Sequence, residues 1–219
     1  MKWGIRKDEE RAYRLQSPVT HVENGFHSAT RDAAVEVSDL IRSRYNYNIE
    51  KVKVLGPKNP EYPSTLAYVV NRHGQGGKNG EVFVQAKDLT DTMARNEKTG
   101  WLAPGTGNVK SLLTHESFHS IFHADQKVVP GLVGPKVVGG NIKARDKALK
   151  AALKAAKQDG QTVWETSGYA ATAGVREELE GELFNSYHWG TNSPRFVNVW
   201  GETLHKELGL DPTPFKEVK

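Results

Sequence analysis

The sequence predicts an α+β fold, a small mainly antiparallel or mixed sheet with several helices packed against it. Three observations carry this. Apolar residues recur at three- and four-residue steps over several segments, the period of a helix face. Three short runs rich in β-branched and aromatic residues lie together between residues 49 and 86, bounded by prolines and glycines. The helical segments flank this group and do not alternate with strands, which argues against a doubly wound sheet.

Residues 1–25 are polar and mixed and are expected to form an N-terminal extension. Ser28 and Thr30 are both good N-caps for a helix reaching about Tyr45, with Ala34, Val37, Ile41 and Tyr45 on one face. Strands are expected at 49–55, where Val52 and Val54 point to one side, at 66–71 and at 81–86. HGQGGKNG at 73–80 reads as a long hairpin connection between the last two. It lacks the spacing of a phosphate-binding loop. The turn-rich WLAPGTGN at 101–108 ends on Asn108, a cap for a helix over 109–124.

Residues 130–140 read as an irregular Gly/Pro/Val link. An Ala/Lys/Leu helix is expected over 142–158, closed by Asp159 and Gly160. It should dock through Leu149, Ala152, Leu153 and Ala156 and show its lysines to solvent. A connecting segment over 161–169 precedes a helix over 174–187 and a last helix over 197–208. Trp189, Phe196 and Trp200 are expected in the core. Pro212 and Pro214 stiffen a tail over 211–219, which leaves 26–210 as the domain proper.

Hydrophobic residues make up 37% of the 219-residue chain and the mean hydropathy is −0.61, low but adequate for a core at this length. No run approaches the ~18 apolar residues of a membrane span. The opening MKWGIRKDEERAYRL has no apolar stretch of the secretory-signal kind, so no signal peptide is expected. Cysteine is absent, which excludes disulfides, thiolate chemistry and cysteine-bound metal. Any metal must be held by His, Asp or Glu. The formal charge of +4 is concentrated. Lys136, Lys143, Arg145, Lys147, Lys150, Lys154 and Lys157 are opposed locally by Asp146 alone. Such a run can meet nucleic acid, but a lysine-rich helix is most simply a solvated face, so nucleic acid is not the favoured partner.

The chemistry lies in HESFH, residues 115–119, inside the helix expected over 109–124. Four residues advance a helix by about one turn, so His115 and His119 project from one face and their imidazoles can take adjacent corners of a zinc tetrahedron. Glu116 stands beside the first ligand, where a carboxylate can take the proton of a water acidified by zinc as that water attacks a carbonyl. At the frequencies of His and Glu here, about 0.02 such matches are expected by chance.

A hydrolytic zinc site wants a third protein ligand and an open fourth position. His123 lies eight residues past His115, about 12 Å along a straight helix, too far to share one ion. The metzincin continuation is missing, with Phe122 at its glycine and Asp125 at its third histidine. The acidic segment VREELEGELFNSY at 175–187 is the natural donor. Glu178 and Glu182 share a face there, and Gly181 permits close helix approach. One carboxylate can bind zinc while the other hydrogen-bonds a ligating imidazole. Spacing alone leaves Glu177 and Glu178 both open as third ligand.

The stretch SGYAATAGVREELEGELF at 167–184, downstream of HESFH, resembles the closing motif of the anthrax-lethal-factor-like metallopeptidases, a zincin group common in bacterial toxins and phage-encoded proteins. The resemblance covers about residues 66–184. It implies a zincin-like fold, Zn²⁺ as cofactor and a protein or peptide substrate. It matches Glu178 to the third zinc ligand, Glu182 to the supporting carboxylate and Tyr169 to a tyrosine that stabilises the oxyanion. The chain departs from the pattern in a Tyr169–Glu178 spacing longer by two residues, in Ala173 for a frequent Asn, and in Glu180 at a usually apolar position. The resemblance also suggests that the strand at 81–86 binds an extended peptide by strand addition.

The opening MKWGIRK resembles a segment of head-associated proteins of tailed phages, which implies other virion proteins as partners. The expectation is a zinc metalloendopeptidase with Glu116 as general base, associated with a phage or toxin. The alternative is a virion structural protein whose zinc site is structural or vestigial. That site would be closed by a fourth ligand from His123, Asp125 or His188.

Overall fold

A computed structural model describes residues 20–58, 65–69, 81–123, 127–131, 134–139 and 141–217. Strands β1 (His21–Val22), β2 (Lys51–Leu55), β3 (Ala67–Val69) and β4 (Glu81–Gln85) form one sheet in the order β1-β2-β4-β3. β1 pairs with β2 and β2 with β4 in parallel, the latter in register from Lys51↔Glu81 to Leu55↔Gln85. β3 runs antiparallel to β4, with Ala67 opposite Val84. The fold is thus α+β with a small mixed sheet, one of the two expected forms, and parallel pairing prevails in it. Helix α1 (Ser28–Tyr45) is the crossover that makes β1 and β2 parallel. β4 is interior, paired on both sides and buried at Glu81, Val82, Val84 and Gln85, so it has no free edge for an added strand. The MKWGIRK segment and the 73–80 connection lie outside the described residues.

The prolines conceal a second sheet. β5 (Lys127–Gly131) and β6 (Gly134–Val138) form an antiparallel pair where an irregular link was expected, with Pro130 opposite Pro135. Proline demotes a strand reading, but in a two-stranded ribbon both strands are edges and tolerate it.

Helix α2 (Thr90–Lys98) was not expected, because its TDTMARNEK sequence offers one large apolar residue, Met93, which is buried. Its Glu97 carboxylate accepts the N–H groups of Gly105 (2.8 Å) and Gly107 (2.6 Å) and so anchors the loop that leads into helix α3 (Val109–His123). Asn108 caps α3, its Oδ1 accepting the Ser111 N–H at 3.0 Å. At α1 the cap position falls to His27, which makes no side-chain cap bond, and Ser28 opens the helix proper.

Helix α4 (Ile142–Gln158) docks through Ala144, Ala148, Ala152, Ala155 and Ala156 with Arg145. Small side chains let it lie close on α7 (Arg195–Leu208), and Leu153 is turned out, 49% exposed, contrary to expectation. The connecting segment before the acidic helix contains a short helix, α5 (Gly168–Ala173), capped by Ser167, whose Oγ accepts the Ala170 N–H at 3.0 Å. Gly174 at φ +63° ends α5, and α6 (Arg176–Trp189) follows.

α3 is the central element. Every residue from 113 to 120 is buried, between α1, α6 and the β3–β4 side of the sheet. Phe118 and Phe122 meet Phe184 at ring distances of 5.4 and 6.1 Å, and Phe118 lies 6.1 Å from Trp200. Phe196 and Trp200 are buried as expected, whereas Trp189 is half-buried and donates its indole N–H to Thr114 Oγ1 at 2.8 Å. Among the described residues, no helix is long and apolar enough to cross a membrane.

Residues of the tail pack on this body. Phe215 is buried and stacks on His188 at 3.8 Å, and the Arg44 guanidinium donates to the carbonyls of Asp211 (3.0 Å) and Thr213 (2.5 Å). A buried hydrogen-bond chain lies behind the stack. His205 Nδ1 faces the Gly201 carbonyl at 2.7 Å, which can only accept, so that nitrogen carries the proton. His205 Nε2 therefore accepts from the Tyr45 hydroxyl (2.7 Å), and the Tyr45 oxygen accepts from His188 Nε2 (2.8 Å). His188 Nδ1 is left to accept the Phe215 N–H at 3.3 Å.

Both histidines are neutral in this arrangement. Burial, the facing His205 and the Arg44 and Lys216 cations hold His188 well below the ordinary imidazole range. Burial lowers His205 against its Gly201 bond. The folded state thus resists protons that the unfolded chain takes up. Their stabilising contribution is full above the unfolded pKa of about 6.5 and declines below it, by up to about 1.4 kcal/mol per pH unit for each histidine. Denaturant titrations from pH 7.5 to 5.5 should show this slope, and His188→Gln should remove its own share. An unchanged slope in the variant would count against the neutral chain.

Candidate metal centre

α3 and α6 cross where HESFH meets the acidic helix, and the contact depends on Gly181. A Cβ at that position would lie 2.8 Å from His115 Cε1 and Nε2. The imidazole therefore rests on bare backbone, which brings into reach Glu178, three residues before Gly181, and Glu182, the residue after it.

Three donors converge there. His115 Nε2 lies 3.1 Å from His119 Nε2 and 3.1 Å from Glu178 Oε2, and His119 Nε2 lies 3.6 Å from the same oxygen. Donors on a tetrahedron around an ion with bonds of ~2.0–2.1 Å stand roughly 3.3 Å apart. The triangle brackets that spacing, so these residues fit a small tetrahedral cation. Glu182 completes the argument by accepting from His115 Nδ1 at 2.8 Å. That bond places the proton on Nδ1 and turns the Nε2 lone pair toward the triangle. Among the described residues, His115, His119 and Glu178 are the group able to hold a metal ion. Glu178, not Glu177, is the carboxylate brought in, and Glu177 is exposed.

The electrostatics ask for positive charge. Burial pushes His115 down, but Glu178 and Glu182 outweigh it and hold the imidazole well above its ordinary value. Glu178 is held far below the carboxylate range, burial being overcome by its bonds to His115 and His119. A proton on the imidazole thus plays the part a metal cation could play, and the two compete.

Glu116 is buried beside this group, and burial raises its carboxyl pKa against the lowering pull of His115 and His119. It lines a cavity of about 220 Å³ together with His115 and Tyr169. Tyr169 is placed by paired backbone bonds, Gly168 N–H to Gly100 O and Tyr169 N–H to Trp101 O, both 2.9 Å. Its hydroxyl donates to Glu178 Oε2 at 3.0 Å. Burial and the Glu178 charge raise its pKa, so it remains a donor.

The sequence reading missed what Glu180 does. It is fully buried and receives Arg145 of α4 through Nε at 2.9 Å and through Nη2, and Arg176 at 3.0–3.2 Å. Arg145 is therefore a core residue and not part of the solvated basic face. An acidic residue at an apolar register position, with arginines in the sequence, was the available signal. His188 is not near the donor triangle, since both its nitrogens serve the Tyr45 chain. The His123 side chain and Asp125 lie outside the described residues. No protein-family model, curated protein or solved structure matches this chain.

Metal titration by calorimetry tests this geometry. Glu178→Ala should abolish tight zinc binding, Glu177→Ala should leave it unchanged, and Glu182→Gln should weaken it by about 10–100-fold. Gly181→Ala removes no ligand yet should weaken binding comparably, because His115 must leave its seat. Full affinity in Gly181→Ala would refute the seating of the ring.

Proposed function

We propose that this chain is a zinc-dependent metalloendopeptidase of zincin type, phage- or toxin-associated. The observation that carries the reading is the three-donor triangle with Glu116 beside it on an adjoining cavity. His188, one candidate for a closing fourth ligand, is engaged in the Tyr45 chain instead. The likeness of HESFH and of residues 167–184 to the lethal-factor-like motif supports the same reading and supplies its phage and toxin association.

A bound zinc ion would supply Lewis acidity and a water acidified toward pKa ~7. His115, His119 and Glu178 would hold the ion, with Glu182 keeping His115 in the required tautomer. Glu116 would take a proton from the attacking water and return it to the leaving amine, a role that its burial-raised carboxyl pKa suits. Tyr169 is a protonated donor that rests on Glu178 and can turn its hydrogen bond to the oxyanion of a peptide carbonyl. The strand-addition surface shifts from β4 to β3, one of the sheet's two outer strands among the described residues and the one that borders the cavity, through Ala67.

The test is cleavage of a mixed peptide library by the zinc-loaded protein. Glu116→Gln should keep its zinc and lose at least about 10²-fold in kcat. Tyr169→Phe should lose about 10² in kcat with smaller change in KM. Undiminished hydrolysis in Glu116→Gln, or none by the zinc-loaded parent, would overturn the reading.

A further inference from the structure

Tyr169 owes its place to a second bare-backbone contact, besides the one at Gly181. It is the second residue of α5, and the first N–H groups of a helix find no partner within it. Ser167 Oγ takes that of Ala170 at 3.0 Å, and the carbonyls of Gly100 and Trp101 take those of Gly168 and Tyr169 at 2.9 Å. Both carbonyls belong to the 99–108 loop, which is itself tied down. Gly100 and Leu102 donate to the Glu97 and Asn96 carbonyls of α2, Glu97 takes the N–H groups of Gly105 and Gly107, and Thr191 donates to Pro104 O at 2.8 Å. The start of α5 thus leans on a fixed support.

Contact this close requires glycine at 168. A Cβ there would lie 2.8 Å from Gly100 O and 3.2 Å from Trp101 Cα, backbone atoms that cannot swing aside. Gly168 is not among the residues at positive φ, so space alone demands the missing side chain. The ring is held as well as the backbone. Trp101 sets its indole edge-on to Tyr169 at 5.7 Å, and His115 meets the same ring at 5.9 Å, with the hydroxyl 3.0 Å from Glu178 Oε2.

We propose that Gly168 and Trp101 are positioning residues for Tyr169, Gly168 by seating its backbone on the 99–108 loop and Trp101 by bracing its ring. The proposal rests on the peptidase reading, in which the Tyr169 hydroxyl serves the oxyanion. A phenol hydroxyl stands at the far end of a rigid side chain, so a displacement at residue 168 is carried to the reacting atoms. Donors aimed at a transition state lose most of their worth when misplaced by about 1 Å, a shift that can cost about 10²-fold in rate. Trp101 also lines the cavity and is 40% exposed, so the competing role is a wall that touches substrate. A wall would act on KM, a brace on kcat.

The test follows zinc content, steady-state cleavage and the nuclear Overhauser effect between the Trp101 and Tyr169 rings in the zinc-loaded full chain. Gly168→Ala should keep its zinc, lose about 10–100-fold in kcat with little change in KM, and lose the ring–ring effect. Trp101→Ala should also lose kcat, and Trp101→Phe should restore most of it by returning an aromatic edge. Added to Tyr169→Phe, Gly168→Ala should cost nothing more, since the hydroxyl it aims is already gone. A merely structural role would lower both backgrounds alike. An additive loss in the double variant, zinc lost from Gly168→Ala, the ring–ring effect retained there, or a raised KM with intact kcat in Trp101→Ala would each overturn the proposal. Should Gly168→Ala not fold, Trp101→Ala against Trp101→Phe decides. A parent that cleaves no peptide overturns the peptidase reading, and the ring–ring effect, present in the parent and lost in Gly168→Ala, then upholds the seating of Tyr169 by itself.

Discussion

The seating of the His115 ring on Gly181 is the contact on which the rest of the site depends. Two helices that cross through ordinary side chains stay 8–10 Å apart, and residues on their facing stripes then touch only at their tips. With no side chain at 181, α6 comes near enough to α3 for Glu178 and Glu182 to grip the two nitrogens of one imidazole. His119 and Tyr169 then reach the same Glu178 oxygen from other directions. A single missing methyl thus sets ligand spacing, tautomer and second hydrogen bond together.

Such closeness concentrates buried charge, and the fold answers in two ways. Around the donor triangle, Glu116, Glu178 and Glu182 gather at two histidines, an acidic excess met by a proton or a metal cation. On the adjoining part of α6, Glu180 has no such recourse and is neutralised by protein, with Arg145 crossing from α4 and Arg176 lying one turn away. Losing one partner of a buried pair costs about 3–5 kcal/mol, because the other charge is stranded. The Arg145–Glu180 pair is therefore best understood as a clamp joining α4 to α6. It helps hold α6 in the place that the Gly181 contact requires.

Much of this was legible in the sequence for a definite reason. Periodicity and spacing are local, so α3, α4 and the HESFH face could be read from residues a few positions apart, as could the Glu178–Glu182 pairing. What depends on encounters between distant segments could not. α2 has a single large apolar residue to betray it, and β5 and β6 hide behind Pro130 and Pro135. The parallel pairing of β2 with β4 depends on which way the chain re-enters the sheet, and local pattern is silent on that. The choice of Glu178 over Glu177 required knowing how α6 is rotated, which is set by α3 across the contact. The Tyr45–His188–His205 chain joins residues up to 160 positions apart, and no spacing rule reaches that far.

The two buried histidine systems show how one side-chain type serves opposite ends. At the donor triangle the carboxylates raise the affinity of His115 for positive charge, so the imidazole is held ready to exchange a proton for a metal. In the Tyr45 chain, among the described residues, no carboxylate hydrogen-bonds either imidazole, Arg44 and Lys216 oppose protonation of His188 while Asp211 pulls the other way at His205, and burial keeps both rings neutral as links between α1, α6, α7 and the tail. Falling pH therefore acts on the two in different ways. It fills the first with protons in competition with metal, and it strains the second, where a proton on His188 Nδ1 would confront the Phe215 N–H. Loss of metal and loosening of the tail are expected on the same side of neutrality, for reasons that share no residue.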